Sequence, residues 1–153
     1  MSTYTATIRW SREGAEGFAR GQYARAHSWA FDGGAVVAAS ASPHIVPAPW
    51  SDPAGVDPEE AFVASLSSCH MLFFVDLARR DGWVVDNYVD QAEGVLEKDA
   101  QGRMAMTRVT LRPRVEWSGE RVPDADAIAQ LHHRAHAACF IANSVTTAVT
   151  VEA

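Results

Sequence analysis

Loose alternation of apolar and polar residues opens the chain, and Thr3–Trp10, with its Tyr, Thr and Ile, predicts a strand. Ser11–Gly21 is rich in Gly and charge and reads as a turn or loop. Alternation returns over Tyr23–Phe31, where Tyr23, Arg25, His27, Trp29 and Phe31 share one face. Asp32-Gly33-Gly34 then signals a hairpin into Ala35–Ala41. Pro43, Pro47, Pro49 and Pro53 forbid regular pairing, so a long loop follows. Such a loop inside a small domain is either functional or a spacer.

The pattern changes at Asp57. Asp57 suits an N-cap, Pro58 the first helical position, and Glu60 the third position of a capping box. Arg79 and Arg80 favour the C-terminal end of the helix dipole, and Gly82 is a stop. Between these ends Ala61, Phe62, Val63, Leu66, Met71, Leu72, Phe73, Phe74 and Val75 point in nearly every direction. A helix apolar on all sides is expected to be buried on all sides, either centrally or beneath a partner subunit.

Beyond it, Trp83–Lys98 and Met104–Trp117 flank Asp99-Ala-Gln-Gly102 and predict a β-hairpin. Asp124 caps a second helix reaching about Ala142, with Ile128, Leu131, Ala135 and Ala138 as its core stripe. Val145–Val151 closes the chain as a Thr/Val strand. The order β-β-β-α-β-β-α-β is α+β rather than alternating α/β.

Composition narrows the function classes. At 153 residues, 48% apolar and 21% charged, with no repeat or dividing linker, the chain fits one globular domain spanning 1–153. A net charge of −6 without a basic run argues against nucleic acid. Lys98 is the only lysine, so positive charge is nearly all Arg, which suits carboxylate and oxyanion recognition. The opening residues show neither a basic n-region nor an apolar h-region. Ala61–Val75 runs fifteen residues without a formal charge, short of the eighteen or more for a membrane span. The expectation is a cytoplasmic protein with no membrane partner.

Cysteine supplies the candidate chemistry. Cys69 lies within the apolar helix and Cys139 near the end of the second, in Ala-Cys-Phe-Ile-Ala-Asn143. A cysteine in a buried helix is ordinarily a small inert hydrophobe. Here, however, Asp57-Pro-Glu-Glu, a small-residue helix, Cys69 ten residues after Glu59, and a distal Cys139-x-x-x-Asn143 together resemble the OsmC/Ohr proteins. The resemblance runs in element order from Ser2 to Val151. It implies antiparallel sheets around a long buried central helix and an intertwined homodimer. It also implies thiol-dependent reduction of hydroperoxides without metal or flavin. Cys69 would attack the peroxide, Cys139 would resolve the sulfenic acid into a disulfide, and Glu59 would take the place of the family's glutamate.

That chemistry needs a thiolate, and burial in apolar surroundings opposes one. An arginine beside the thiol reverses this and orients the peroxide, and a carboxylate holds the arginine. His44–Pro58 contains no arginine, so the candidate is Arg25, followed by Arg20 and Arg9. An external thiol must then reopen the disulfide: a dihydrolipoyl protein, thioredoxin or a small thiol. Ten residues of straight helix rise about 15 Å. Glu59 and Cys69 of one chain therefore cannot both touch one small substrate group. Either the helix breaks, or a second subunit of a two-fold homodimer supplies Glu59, and could supply Arg25 in the same way.

Two rival readings remain. His132, His136 and Cys139 fall at i, i+4 and i+7, with His70 beside Cys69, a set whose residue types suit tetrahedral zinc though its spacing matches no common zinc motif. A non-enzymatic module holding an acyl or thiol metabolite is the other. Trp29, Phe31, Trp50, Phe73, Phe74 and Phe140 are the aromatics expected either to fill the core or to line an apolar pocket at the thiols. Such a pocket would favour organic over hydrogen peroxide.

Overall fold

A computed structural model describes all 153 residues. Its elements are β1 (Thr7–Arg9), β2 (His27–Ala30), β3 (Val36–Ala39), α1 (Pro58–Arg80), β4 (Val84–Asp90), β5 (Glu93–Lys98), β6 (Met104–Leu111), β7 (Pro113–Ser118), α2 (Ala125–Ala138) and β8 (Ala148–Val151). The class is α+β, as expected. The chain divides into two compact units, Met1–Ala61 and Phe62–Ala153.

In the first unit β1, β2 and β3 form an antiparallel sheet in that order. The proline-rich loop is tied back onto β3: Ser40 N donates to Val56 O, Val56 N to Ala38 O, and Asp52 N to Ser40 Oγ. Gly55 allows this close approach, because a Cβ there would sit 3.0 Å from the Ala39 carbonyl carbon and Ser40 Cβ. The unit buries Ala39, Ser40, Ser42 and Ser51, while Ile8, Trp10, Phe18, Phe31, Val36 and Ile45 stay exposed.

Helix α1 starts as its sequence dictates. Glu60 N donates to Asp57 Oδ1 and Asp57 N to Glu60 Oε1, both at 2.8 Å, a complete capping box. It stops in a Schellman turn, with Gly82 N bonded to Arg79 O, Trp83 N to Ala78 O, and Gly82 at φ +86°. Glycine tolerates that left-handed angle without strain.

In the second unit α1 contributes to two cores. Phe74 and Ala78 meet Leu131 and Ala135 of α2, with Val85, Tyr88, Val115 and Trp117 from the β4–β7 sheet packed around them. Leu66 meets Val109 and Leu111 of the β5–β6–β8 sheet. Gly94 of β5 lets α1 come close, since a Cβ there would lie 2.5 Å from Val63 Cγ2.

Two expectations are corrected. The two long hairpin strands are each divided, Val84–Asp90 from Glu93–Lys98 and Met104–Leu111 from Pro113–Ser118, so four strands follow α1 before α2 instead of two. Asp90 Oδ1 accepts the Arg112 amide at 2.6 Å, so a side chain takes a ladder position where both strands pass from one sheet to the other. Helix α2 ends at Ala138, not about Ala142, because Cys139 adopts extended backbone (φ −64°, ψ 112°). Within the single chain α1 buries one stripe, Leu66, His70, Phe74 and Ala78, and leaves Leu72 63% exposed. By length and composition alone α1 could cross a membrane, but that stripe lies in the cores of this fold.

Candidate functional site

The chemistry-bearing residues form two groups, one in each unit. In the second unit Cys69 is half-buried on α1 and Cys139, 1% exposed, caps the C-terminus of α2. Both thiols are free. They lie close enough to interact, and Cys139 is held above the ordinary thiol range. Burial is the main cause, the Cys69 thiol adds to it, and the backbone N–H groups of Ala142 and Ile141 oppose it. The Ala142 N–H reaches Cys139 Sγ at 3.4 Å. The chain turns sharply after Cys139, and Asn143 N bonds back to Cys139 O. That turn presents Phe140, 70% exposed and edge-on to Phe73 at 4.9 Å.

In the first unit Arg25 and Glu59 line one pocket of about 500 Å³ with Trp10, Phe18, Tyr23 and His27. Trp10, Phe18 and Tyr23 pack mutually, with centroids 4.9 to 6.2 Å apart. The Arg25 guanidinium lies 3.5 Å over the Tyr23 ring, and its Nη1 donates to the carbonyls of Gly21 and Tyr23 at 2.9 and 2.5 Å. No carboxylate of this chain pairs with it, Glu59 included. Arg20 turns instead to Gln22, and neither it nor Arg9 lines the pocket. His27 supports the arginine in a way the sequence did not announce. Trp29 Nε1 can only donate, so His27 Nε2 accepts and its Nδ1–H donates to Arg25 O at 2.7 Å. The i+2 spacing of His27 from Arg25 was the available signal.

The aromatics of this pocket are Trp10, Phe18 and Tyr23, not Trp29, Phe31 or Trp50. In the second unit Phe74 is core and only the Phe73–Phe140 pair adjoins a thiol in sequence. The histidines do not assemble a metal site: no group of three or more His, Cys, Asp or Glu side chains converges to hold an ion. His70 Nε2 and His132 Nδ1 instead face each other at 3.0 Å. Both rings are pushed down to about 4, chiefly by burial, then by His136 for His70 and by His70 for His132, while Asp90 raises His70.

Unbroken α1 removes one alternative. It runs helical from Pro58 to Arg80, so no break brings Glu59 to Cys69. The fold and its paired thiols define a small α+β dithiol protein. An OsmC-like protein family model matches residues 51–153, and the chain belongs to that family. It is similar to an OsmC-like protein of unknown function from Vibrio cholerae, with 51% identity over 99% of each chain and a TM-score of 0.97. It shares its fold with the organic hydroperoxide resistance protein OhrB of Bacillus subtilis, at 19% identity, 99% and 97% coverage and a TM-score of 0.70. An organic hydroperoxide resistance protein from Elizabethkingia anophelis is similar at 16% identity, 99% and 96% coverage and a TM-score of 0.69. Comparison with curated proteins gives no match.

Proposed function

We propose that this chain is a cytoplasmic thiol peroxidase that reduces organic hydroperoxides. The observation that carries the reading is the convergence of two free thiols, Cys69 half-buried and Cys139 buried beside it. The names of the Bacillus and Elizabethkingia relatives lend it support. The Cys69 thiolate attacks the outer peroxide oxygen, the O–O bond breaks, and the alcohol leaves with a proton. Cys69 is then a sulfenic acid. Cys139 attacks its sulfur, water leaves, and a Cys69–Cys139 disulfide forms. An external dithiol or two small thiols reopen it by exchange. The half-buried position of Cys69 suits a group that must meet substrate, and the buried Cys139 suits one that meets only its partner sulfur.

Arg25 and Glu59 serve this reaction from a second subunit. Two observations favour a two-fold homodimer: the unbroken helix between Glu59 and Cys69, and a first unit whose large apolar side chains stay exposed in the single chain. A unit of about sixty residues that buries only Ala39 fully among its apolar side chains is marginal alone. The Nη2 and Nε groups of Arg25 make no hydrogen bond within the chain and are free for a peroxide or thiolate. An active monomer in sedimentation would rule out this arrangement.

The aromatic pocket with its arginine also favours a second reading, a binding module for an apolar anion with bystander cysteines. One experiment separates the two. Reduced protein is treated with one equivalent of cumene hydroperoxide and its disulfides are mapped by mass spectrometry. A Cys69–Cys139 bond is expected, and two intact thiols with unconsumed peroxide would reject the peroxidase.

A further inference from the structure

The second unit contains a buried polar contact that the peroxidase reading does not use. His70 and His132 are 1% and 5% exposed, their planes differ by 10°, and their centroids are 5.3 Å apart. With Nε2 and Nδ1 3.0 Å apart, the two rings lie nearly in one plane and bond edge to edge rather than face to face. Phe74 covers one face of His132 at 4.3 Å. Tyr88 packs on Phe74 from β4, and the Asp90 carboxylate is satisfied by Ser67 Oγ and the Arg112 amide. This is an enclosed, directional bond between residues 62 positions apart.

Its placement gives it a consequence. His70 follows Cys69 on α1, and His132 lies about two turns before Cys139 on α2. The apolar contacts between these helices join Phe74 and Ala78 to Leu131 and Ala135, and at the half-exposed end Arg134 of α2 pairs with Asp81, just past α1. Apolar packing is non-directional and tolerates sliding and repacking. A linear hydrogen bond is not tolerant: it weakens steeply once bent or stretched.

From this geometry we infer that His70 and His132 are a positioning pair, whose bond fixes the register of α2 on α1 and so holds Cys139 opposite Cys69 for disulfide closure. The inference rests on the dithiol reading above. Neither ring touches the reacting sulfurs in this role; both act through helix placement.

The test uses the full chain equilibrated with oxidised and reduced glutathione, where one glutathione disulfide is reduced as the protein dithiol is oxidised. The equilibrium reads the effective concentration of Cys139 at Cys69 without any peroxide. H70L/H132L replaces both partners with apolar groups of similar bulk, which keeps stability close to wild type at neutral pH. We expect its effective concentration to fall at least tenfold, raising the reduction potential by about 30 mV. His132→Asn, whose amide occupies the place of Nδ1, retains closure near wild type. His132→Gln, whose amide lies at the place of Nε2, behaves like the leucine pair. Wild-type closure in folded H70L/H132L overturns the inference. Should that variant not fold, equal closure by the Asn and Gln variants overturns it. If the expected order appears but wild type consumes no hydroperoxide, the positioning pair stands and the peroxidase reading falls. If hydroperoxide is consumed and the variants close alike, the reverse holds.

Discussion

Acid should destabilise this protein well above the range where carboxylates titrate, and the His70–His132 pair sets the size of the effect. Each ring is held at about 4, against 6.5 for an unperturbed histidine. The neutral form is the one favoured by folding, since an added proton must sit on His70 Nδ1 or His132 Nε2, neither of which has a partner in the chain. As pH falls below 6.5 the unfolded chain takes up protons that the native chain refuses, so stability falls with pH until about 4. At about 1.4 kcal/mol per pH unit, one ring costs about 3 kcal/mol across that window. The second adds to this, although the two titrate as a coupled pair. A domain of this kind has only about 5–15 kcal/mol in total. Urea unfolding of wild type and H70L/H132L at intervals from pH 7.5 to 4.5 measures it. Wild type should lose about 3 kcal/mol or more, and the variant correspondingly less. His27, His44 and His133 are common to both proteins, whereas the repulsion between His136 and His70 is lost in the variant and belongs to the measured difference. Asp76 and Asp99, which arginine neighbours hold below 3.8, lose their effect only at lower pH. Parallel pH profiles in the two proteins would refute the argument.

Other expectations follow from single contacts. Cys139→Ser should leave the first turnover intact but strand Cys69 as sulfenic and then sulfinic acid, visible as added oxygen in the intact mass; an unmodified Cys69 after excess hydroperoxide would contradict its role as nucleophile. Glu60→Ala removes the acceptor of the Asp57 amide and should cost about 1 kcal/mol in urea unfolding, while an unchanged midpoint would show the capping box to be unimportant.

How much of this was legible beforehand depended on whether the deciding interaction was local. The start of α1 was readable because Asp57, Pro58 and Glu60 act within one turn, and its end because Gly82 supplies a left-handed angle on the spot. The pairing of Trp83–Lys98 with Met104–Trp117 was readable from alternation around Asp99–Gly102. Its division into two sheets was not. That depends on Asp90 reaching the Arg112 amide across 22 residues, and alternation carries no trace of it. Helix periodicity likewise placed His132 and His136 on one face but gave no sign that His70 would occupy the first of them. The same residues that suggested zinc are a hydrogen-bonded pair because their nitrogens point at each other along one line. Residue type singled out Cys69 with Cys139 and Arg25 with Glu59 as candidates, and these pairs lie in two separate neighbourhoods.

The remaining mismatch is informative in itself. Helix α1 carries apolar residues on every face, yet one chain buries only Leu66, His70, Phe74 and Ala78 fully. The exposed face of its body is Ala64, Ser65, Ser68 and Leu72, small residues around one large apolar side chain. Leu72, on α1 three residues after Cys69, is 63% exposed, and Phe140, directly after Cys139, is 70% exposed. Each thiol is thus followed closely along the chain by a large apolar side chain that this subunit leaves uncovered. A second copy covering that surface would bury apolar area and shield the thiols from water, which strengthens the electrostatic pull of a guanidinium on a thiolate. Association and catalysis would then share one surface. Leu72→Glu should accordingly dissociate the dimer and abolish hydroperoxide turnover together, whereas dissociation with full turnover would separate the two.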